Sequence, residues 1–233
     1  MLFKVKENLD YNMMNNSFIN PDNNKGFLYL KEIQEKYPGN VPWAGNGGII
    51  DVTAEGKFID IGLQTCRFLY KFLNSIKVED KPIEILEFGT NYGSFSWVLY
   101  ESLGNDFRLK TCDVVEKSGE CINSLNKIYN SNQVEFKHTG SADYIPELIQ
   151  QDYKPDIIYI DGNHSFEGCL NDFENSFLLK PSYIIVDDYS ELKDIRKALH
   201  KFLYDTDDYK MFKYSNINYS VGSQVILKLV ENG

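Results

Sequence analysis

Two short stretches hold most of the groups able to do chemistry. One is Asp161-Gly162-Asn163-His164-Ser165-Phe166-Glu167-Gly168, and the other is Val186-Asp187-Asp188-Tyr189. Each follows an apolar run of strand type, Ile157–Ile160 and Tyr183–Val186, so Asp161, Asp187 and Asp188 are expected at the carboxyl ends of neighbouring strands. Ionised carboxylates held that close repel one another, and the arrangement needs a reason. A hard divalent cation is the simplest one, because carboxylate oxygens and water suit Mg²⁺, Ca²⁺ or Mn²⁺. The competing reading is local: Asp187 or Asp188 caps the next helix, and Asp161 closes a turn. His164 stands three residues past the first Asp. Its ordinary pKa of about 6.5 suits a proton acceptor near neutrality.

A second constellation lies upstream, in Ile83–Leu99, which reads as a buried strand, a glycine turn and a helix. Gly89 and Gly93 bracket the turn, Glu87 sits near the end of the strand, and Ser94 or Ser96 is the expected helix cap. A dinucleotide fingerprint needs G-x-G-x-x-G. Asn91 stands where its middle glycine belongs and would crowd a pyrophosphate, so a cofactor without phosphates fits better. Asp113 follows about two dozen residues on, at the end of the next strand, where a carboxylate can accept hydrogen bonds from ribose hydroxyls. Glu116 is the alternative. After the third strand comes Gly140-Ser141-Ala142-Asp143, small and polar. Two further histidines have no such company: His138 reads as a structural residue and His200 as one on a helix surface.

The elements that must position these groups alternate. Strands are expected at Ile83–Phe88, Arg108–Val115, Val134–His138, Ile157–Asp161 and Tyr183–Val186. Helices are expected at Ser94–Leu103, Ser118–Asn130, Ile145–Gln151, Phe166–Leu179 and Leu192–Tyr204. The tail adds a hairpin of Tyr209–Tyr214 and Gln224–Val230. Strands separated by helices give a parallel, doubly wound α/β sheet with its site off the carboxyl ends. Upstream, residues 1–80 read as an Asn-rich arm or lid (to about Asn24), a helix over Gly26–Tyr37, a glycine loop with Trp43, and a helical stretch over Thr53–Ser75. That region is a candidate lid or oligomerisation element, and residues 81–233 form the main domain.

The pattern Glu87-x-Gly89-x-x-x-Gly93 resembles motif I of class I S-adenosylmethionine-dependent methyltransferases. The resemblance implies a seven-stranded Rossmann-like sheet with its last strand antiparallel. It also implies that Glu87, Gly89, Thr90, Asn91, Gly93 and Ser94, with Asp161, hold the methionine end of S-adenosylmethionine. Asp113 would take the ribose, and Ser141 and Ala142 would flank the adenine. Asp-Gly-x-His-x-x-x-Gly followed by Val-Asp-Asp-Tyr resembles the metal-dependent macrocin and mycinamicin sugar O-methyltransferases. That likeness implies a metal on Asp161, Asp187 and Asp188, catalytic roles for Asp161 and His164, and a hydroxylated small-molecule acceptor, such as a sugar. Some relatives use an acidic base two residues past the first Asp; Asn163 stands there, which shifts the role to His164. Other relatives are labelled hydroxylases of cephalosporin pathways. A different acceptor such as a catechol, or a non-catalytic binding protein on this fold, therefore stays open.

The bulk numbers bound the partners. The chain has 233 residues and a net charge of −10, which argues against general binding to nucleic acid or anionic membrane. No apolar run is long enough to span a bilayer. The four cysteines, Cys66, Cys112, Cys121 and Cys169, show no C-x-x-C spacing and read as reduced thiols of a cytoplasmic protein.

Overall fold

A computed structural model describes residues 24–36, 60–76, 81–189, 192–214 and 224–230. The arm over residues 1–23, Trp43 with its glycine loop, and residues 53–59 of the expected second helix lie outside them. The elements run α1 (Lys25–Lys36), α2 (Asp60–Ser75), β1 (Ile83–Phe88), α3 (Ser94–Leu103), β2 (Phe107–Asp113), α4 (Lys117–Ile128), β3 (Val134–His138), α5 (Ser141–Gln150), β4 (Ile157–Ile160), α6 (Phe166–Leu179), β5 (Tyr183–Val186), α7 (Lys193–Asp205), β6 (Tyr209–Tyr214) and β7 (Val225–Leu229).

The seven strands form one sheet in the order β3-β2-β1-β4-β5-β7-β6. The first five pair in parallel, and β7 runs antiparallel to both neighbours. The order reverses between β1 and β4, and this is the switch point at which doubly wound sheets open a crevice.

Strand parity builds two cores. Ile83 and Ile85 of β1, Ile157 and Tyr159 of β4, and Tyr183 and Ile185 of β5 pack with α1 to α4. The alternate residues Leu86, Phe88, Ile158, Ile160, Ile184 and Val186 pack with α5 to α7. Both faces are covered, so the inner strands read as unbroken apolar runs. Near the carboxyl ends the first face turns polar. Thr111 of β2, Glu87 of β1 and Tyr159 of β4 lie in one register row, all of them buried. From the upstream region, Phe27 and Leu30 of α1 and Leu69, Phe72 and Leu73 of α2 enter the same core as α3. Asn24 caps α1 through the Phe27 N–H, at 2.8 Å, and also takes the Trp97 indole N–H, at 3.1 Å.

Two local expectations need correction. Neither Ser94 nor Ser96 caps α3: the cap is Gly93, in a left-handed backbone conformation, with no side-chain hydrogen bond. Glycine is required at 93 by its φ of +83°, which a side chain would strain. The helix expected from Ile145 begins at Ser141. Its first turn, Ser-Ala-Asp, is polar and solvent-facing, so no apolar periodicity announces it.

Candidate functional site

The glycine turn is built on close backbone approach. Gly89 has φ +93°, and a Cβ on it would stand 2.0 Å from the Asp161 carbonyl oxygen. Only glycine lets the turn after β1 pass against the start of the β4 loop. That contact joins the two constellations read from the sequence. Asn91 takes φ +47°, a backbone state that asparagine tolerates better than most residues. Its N–H donates to Asp113 Oδ2 at 2.7 Å, while Asp113 Oδ1 accepts from the Val115 N–H at 2.9 Å. Asp113 is thereby locked at the end of β2 with lone pairs to spare for hydroxyl donors. Glu116, the alternative, is exposed at the cap of α4.

Beneath the turn, Thr111 Oγ1 donates to Glu87 Oε2 at 2.6 Å and shares a hydrogen bond with Thr90 Oγ1 at 2.6 Å. Burial pushes the Glu87 carboxyl well above the ordinary range, and the Thr111 hydrogen bond opposes this. Asp161 and Asp113 add like charge.

At the other side of the switch point, Asp161, His164 and Asp188 come together, with one ligand atom of each within 4.8 Å of the others. His164 Nε2 lies 3.2 Å from Asp161 Oδ1 and 3.8 Å from Asp188 Oδ2. The Asp161 hydrogen bond, against partial burial, raises the imidazole above its usual pKa. Burial first, and the nearby Asp187 charge second, push the Asp161 carboxyl upward.

Asp187 does not join that group of ligand atoms. Its Oδ2 accepts from Tyr159 Oη at 2.7 Å and Oδ1 is buried without a hydrogen bond of ordinary geometry, while the Gln224 amide and the Asp188 backbone help to keep the group charged and its charge raises both Asp161 and His164. The cause is strand parity. Asp187 continues the Tyr183–Ile185 face, whereas Asp188, at φ +54°, turns out toward Asp161 and His164. Neither Asp caps the next helix, because α7 starts behind Leu192 with no side-chain cap. The helix-cap reading therefore fails. Ser165 caps α6, accepting the Gly168 N–H at 3.1 Å, and this holds the loop that presents His164.

Two residues of this region escaped the sequence. Asp172 of α6 is buried, accepts the Ser141 hydroxyl, and lies under the Asp161–Gly162 loop: a Cβ on Gly162 would meet its Oδ2 at 3.2 Å. Burial pushes its carboxyl up to about 6. Its Oδ1 holds the start of α5, and its Oδ2 is buried beneath the β4 loop without a hydrogen-bond partner. Its place inside an amphipathic helix hid it, since a lone Asp there reads as a solvent-facing residue. Val114, just past Asp113, is 65% exposed and borders Gly140, which puts an apolar side chain beside Ser141 and Ala142. The exposed His138 contacts the Val114 carbonyl, and the exposed His200 contacts Tyr189 Oη. Cys112, Cys121 and Cys169 are free and buried; the Cys66 side chain lies outside those described.

The residues present fit a cationic, phosphate-free ligand. Among the described residues, no lysine or arginine forms an ion pair with Glu87, Asp161, Asp172 or Asp187. This acidic lining suits a cationic group better than a phosphate. No described helix is long and apolar enough to cross a membrane.

Comparison with known proteins agrees with this architecture. Residues 86–189 match the family described as a methyltransferase domain, a span that holds the glycine turn and both acidic loops. No curated protein sequence matches the chain. Among solved structures, cofactor-bound Rv0187 from MTB superposes with a TM-score of 0.65 at 16% identity, covering 90% of this chain and 91% of that one. An O-methyltransferase from Bacillus cereus in complex with SAH gives 0.59 at 21% identity, covering 86% and 90%. TrmN from Thermus thermophilus gives 0.52 at 13% identity and covers 70% of this chain, which spans only 48% of TrmN. The fold is the Rossmann-like methyltransferase fold.

Proposed function

We propose that this chain is an S-adenosylmethionine-dependent, divalent-metal-dependent O-methyltransferase acting on a hydroxyl of a sugar or glycosylated metabolite. The observation that carries the reading is the Asp161–His164–Asp188 cluster, set directly against the Gly89 turn. It puts a proton acceptor and oxygen ligands beside the donor's expected place.

Glu87, the Gly89–Ser94 turn and Asp161 would hold the methionine end of the cofactor. Asp113 would hold its ribose, and Ser141, Ala142 and Val114 its adenine. Asp161 and Asp188, with Asp187 as the third carboxylate, would hold the cation, whose oxygen preference favours Mg²⁺ over softer ions. When bound, the donor supplies an electrophilic methyl carbon on a sulfonium, and the cation lowers the pKa of a hydroxyl it touches. With Nε2 held by Asp161 Oδ1, the other ring nitrogen of His164 would take the hydroxyl proton, and the Asp161 carboxylate would stabilise the imidazolium formed. The chain's remaining work is alignment of acceptor oxygen and methyl carbon, from which most of the rate follows in a direct displacement.

One nitrogen cannot ligate the cation and accept the proton at once, and the oxygen preference of Mg²⁺ assigns His164 to the proton. The net charge of −10 supports a small acceptor over RNA, because phosphate binding needs clustered Lys and Arg. The N-terminal region remains the proposed site of any self-association.

The test is methyl transfer from labelled S-adenosylmethionine to a panel of glycosides and catechols, with and without EDTA. Transfer to glycosides that stops on chelation, with cofactor binding retained, is the expected result. Full transfer in EDTA sinks the metal role, and transfer to catechols alone sinks the sugar assignment. His164→Asn should abolish transfer and leave Mn²⁺ affinity within about twofold; lost Mn²⁺ affinity would instead make His164 a ligand.

A further inference from the structure

Asp187, Tyr159 and Gln224 form a buried chain of hydrogen bonds across β4, β5 and β7. We propose that Tyr159 and Gln224 are positioning residues that fix the orientation of the Asp187 carboxylate for the cation site. This rests on the cation reading above.

Tyr159 and Gln224 have no exposed surface, and Asp187 is only 6% exposed. Gln224 Nε2 donates to Tyr159 Oη at 3.0 Å, and Tyr159 Oη donates to Asp187 Oδ2 at 2.7 Å. The direction is forced. The amide nitrogen has only protons to give, so the phenol oxygen accepts there and sends its own proton to the carboxylate. Asp187 Oδ2 is thereby occupied, and Oδ1 is a buried acceptor with no hydrogen bond of ordinary geometry, although Gln224 and the Asp188 backbone lie near enough to favour its charge. Such an atom costs stability and needs an explanation; a ligand group arriving at Oδ1 is one.

The scaffold around the phenol is rigid. The Tyr159 ring stacks on Phe95 with centroids 4.0 Å apart and planes 11° from parallel. Gln224 directly precedes Val225, the partner of Val186 in the β5–β7 ladder, so it arrives level with Asp187. A phenylalanine at 159 would fill the same apolar slot at no desolvation cost. The hydroxyl is therefore there for its hydrogen bonds, and its bond to Asp187 is the one that reaches the site. Groups that hold a ligating carboxylate commonly matter about 10- to 100-fold in metal affinity.

The experiment titrates Mn²⁺ into the full chain saturated with S-adenosylhomocysteine, for the wild type, Tyr159→Phe, Gln224→Leu, Asp187→Asn and the double variant Tyr159→Phe/Asp187→Asn. Tyr159→Phe should weaken Mn²⁺ binding about tenfold or more with S-adenosylhomocysteine affinity unchanged, and Gln224→Leu should weaken it less. In the Asp187→Asn background, Tyr159→Phe should have no further effect on Mn²⁺, the coupling expected of a residue acting through Asp187. Unchanged Mn²⁺ affinity in Tyr159→Phe, or full additivity with Asp187→Asn, overturns the proposal. Gln224→Leu leaves the stacked ring in place and carries the same test should Tyr159→Phe fail to fold. A wild type without saturable Mn²⁺ binding overturns this proposal together with the cation reading. A wild type that binds Mn²⁺ beside an unaffected Tyr159→Phe overturns this proposal alone.

Discussion

The two sides of the switch point solve the burial of negative charge in opposite ways. On the β1–β2 side the acidic groups have protein partners. Thr111 serves Glu87, and two backbone N–H groups serve Asp113. On the β4–β5 side Asp161 and Asp188 share one imidazole, and Asp187 keeps a buried oxygen with no hydrogen bond of ordinary geometry. The first side is finished by the chain itself and needs only a ligand of matching shape. The second is crowded with like charge, which the proposed cation would relieve. On the proposed function, the difference would separate a preformed cofactor seat from a site completed by what binds there.

That contrast can be broken by mutation. Asp188→Ala should cut methyl transfer roughly 10²- to 10³-fold, while calorimetry finds S-adenosylmethionine affinity nearly unchanged. A parallel loss of cofactor affinity would show that the two sides are one site. Gly89→Ala should destabilise the fold by roughly 3 kcal/mol or more, as left-handed strain and the clash with the Asp161 carbonyl combine. Denaturant midpoints measure this loss, and a neutral result would deny the close approach of the two loops. Asp113→Asn should weaken cofactor binding about tenfold and leave Mn²⁺ affinity alone, the mirror image of Asp188→Ala; titration calorimetry with each ligand separates them.

The smallest expected effect is on pH dependence. Burial raises the carboxyls of Glu87 and Asp172, the latter to about 6. A raised carboxyl keeps its proton in the folded chain where the unfolded chain has lost it. Its stabilising contribution is therefore full at low pH and disappears as pH rises through the folded value. The melting temperature without added metal should thus fall as pH rises from the ordinary carboxyl range through about 6. Asp172→Asn should flatten the part of that fall near pH 6 in a calorimetric series. A melting temperature that rises over this window would mean that both carboxylates are ionised and served by unseen partners.

Much of this architecture is local and was legible in the residues. The strands β1, β3, β5 and β6 and the helices α3 and α6 have the bounds read from periodicity, because unbroken apolar runs and helical spacing are properties of short segments. The glycine turn was legible for a similar reason, since the residues that tolerate left-handed backbone are few. The expected cap at Ser94 or Ser96 failed because the left-handed Gly93 takes the cap position and both serines fall inside the helix. Asp172 went unread because its importance lies in contacts with Ser141 and Gly162, neither of which is near it on helix α6.

The sequence alone determined which loops meet at the crevice, because alternation of strands and helices puts every β–α loop on one edge of the sheet. It could not apportion the carboxylates among themselves. Asp187 and Asp188 are adjacent and chemically identical. Strand parity, a left-handed turn at Asp188 and the reach of Tyr159 bound one to the Tyr159 hydroxyl and left the other facing His164. Those three causes come from three elements, so the division exists only once β4, β5 and the loop after β5 have been brought together.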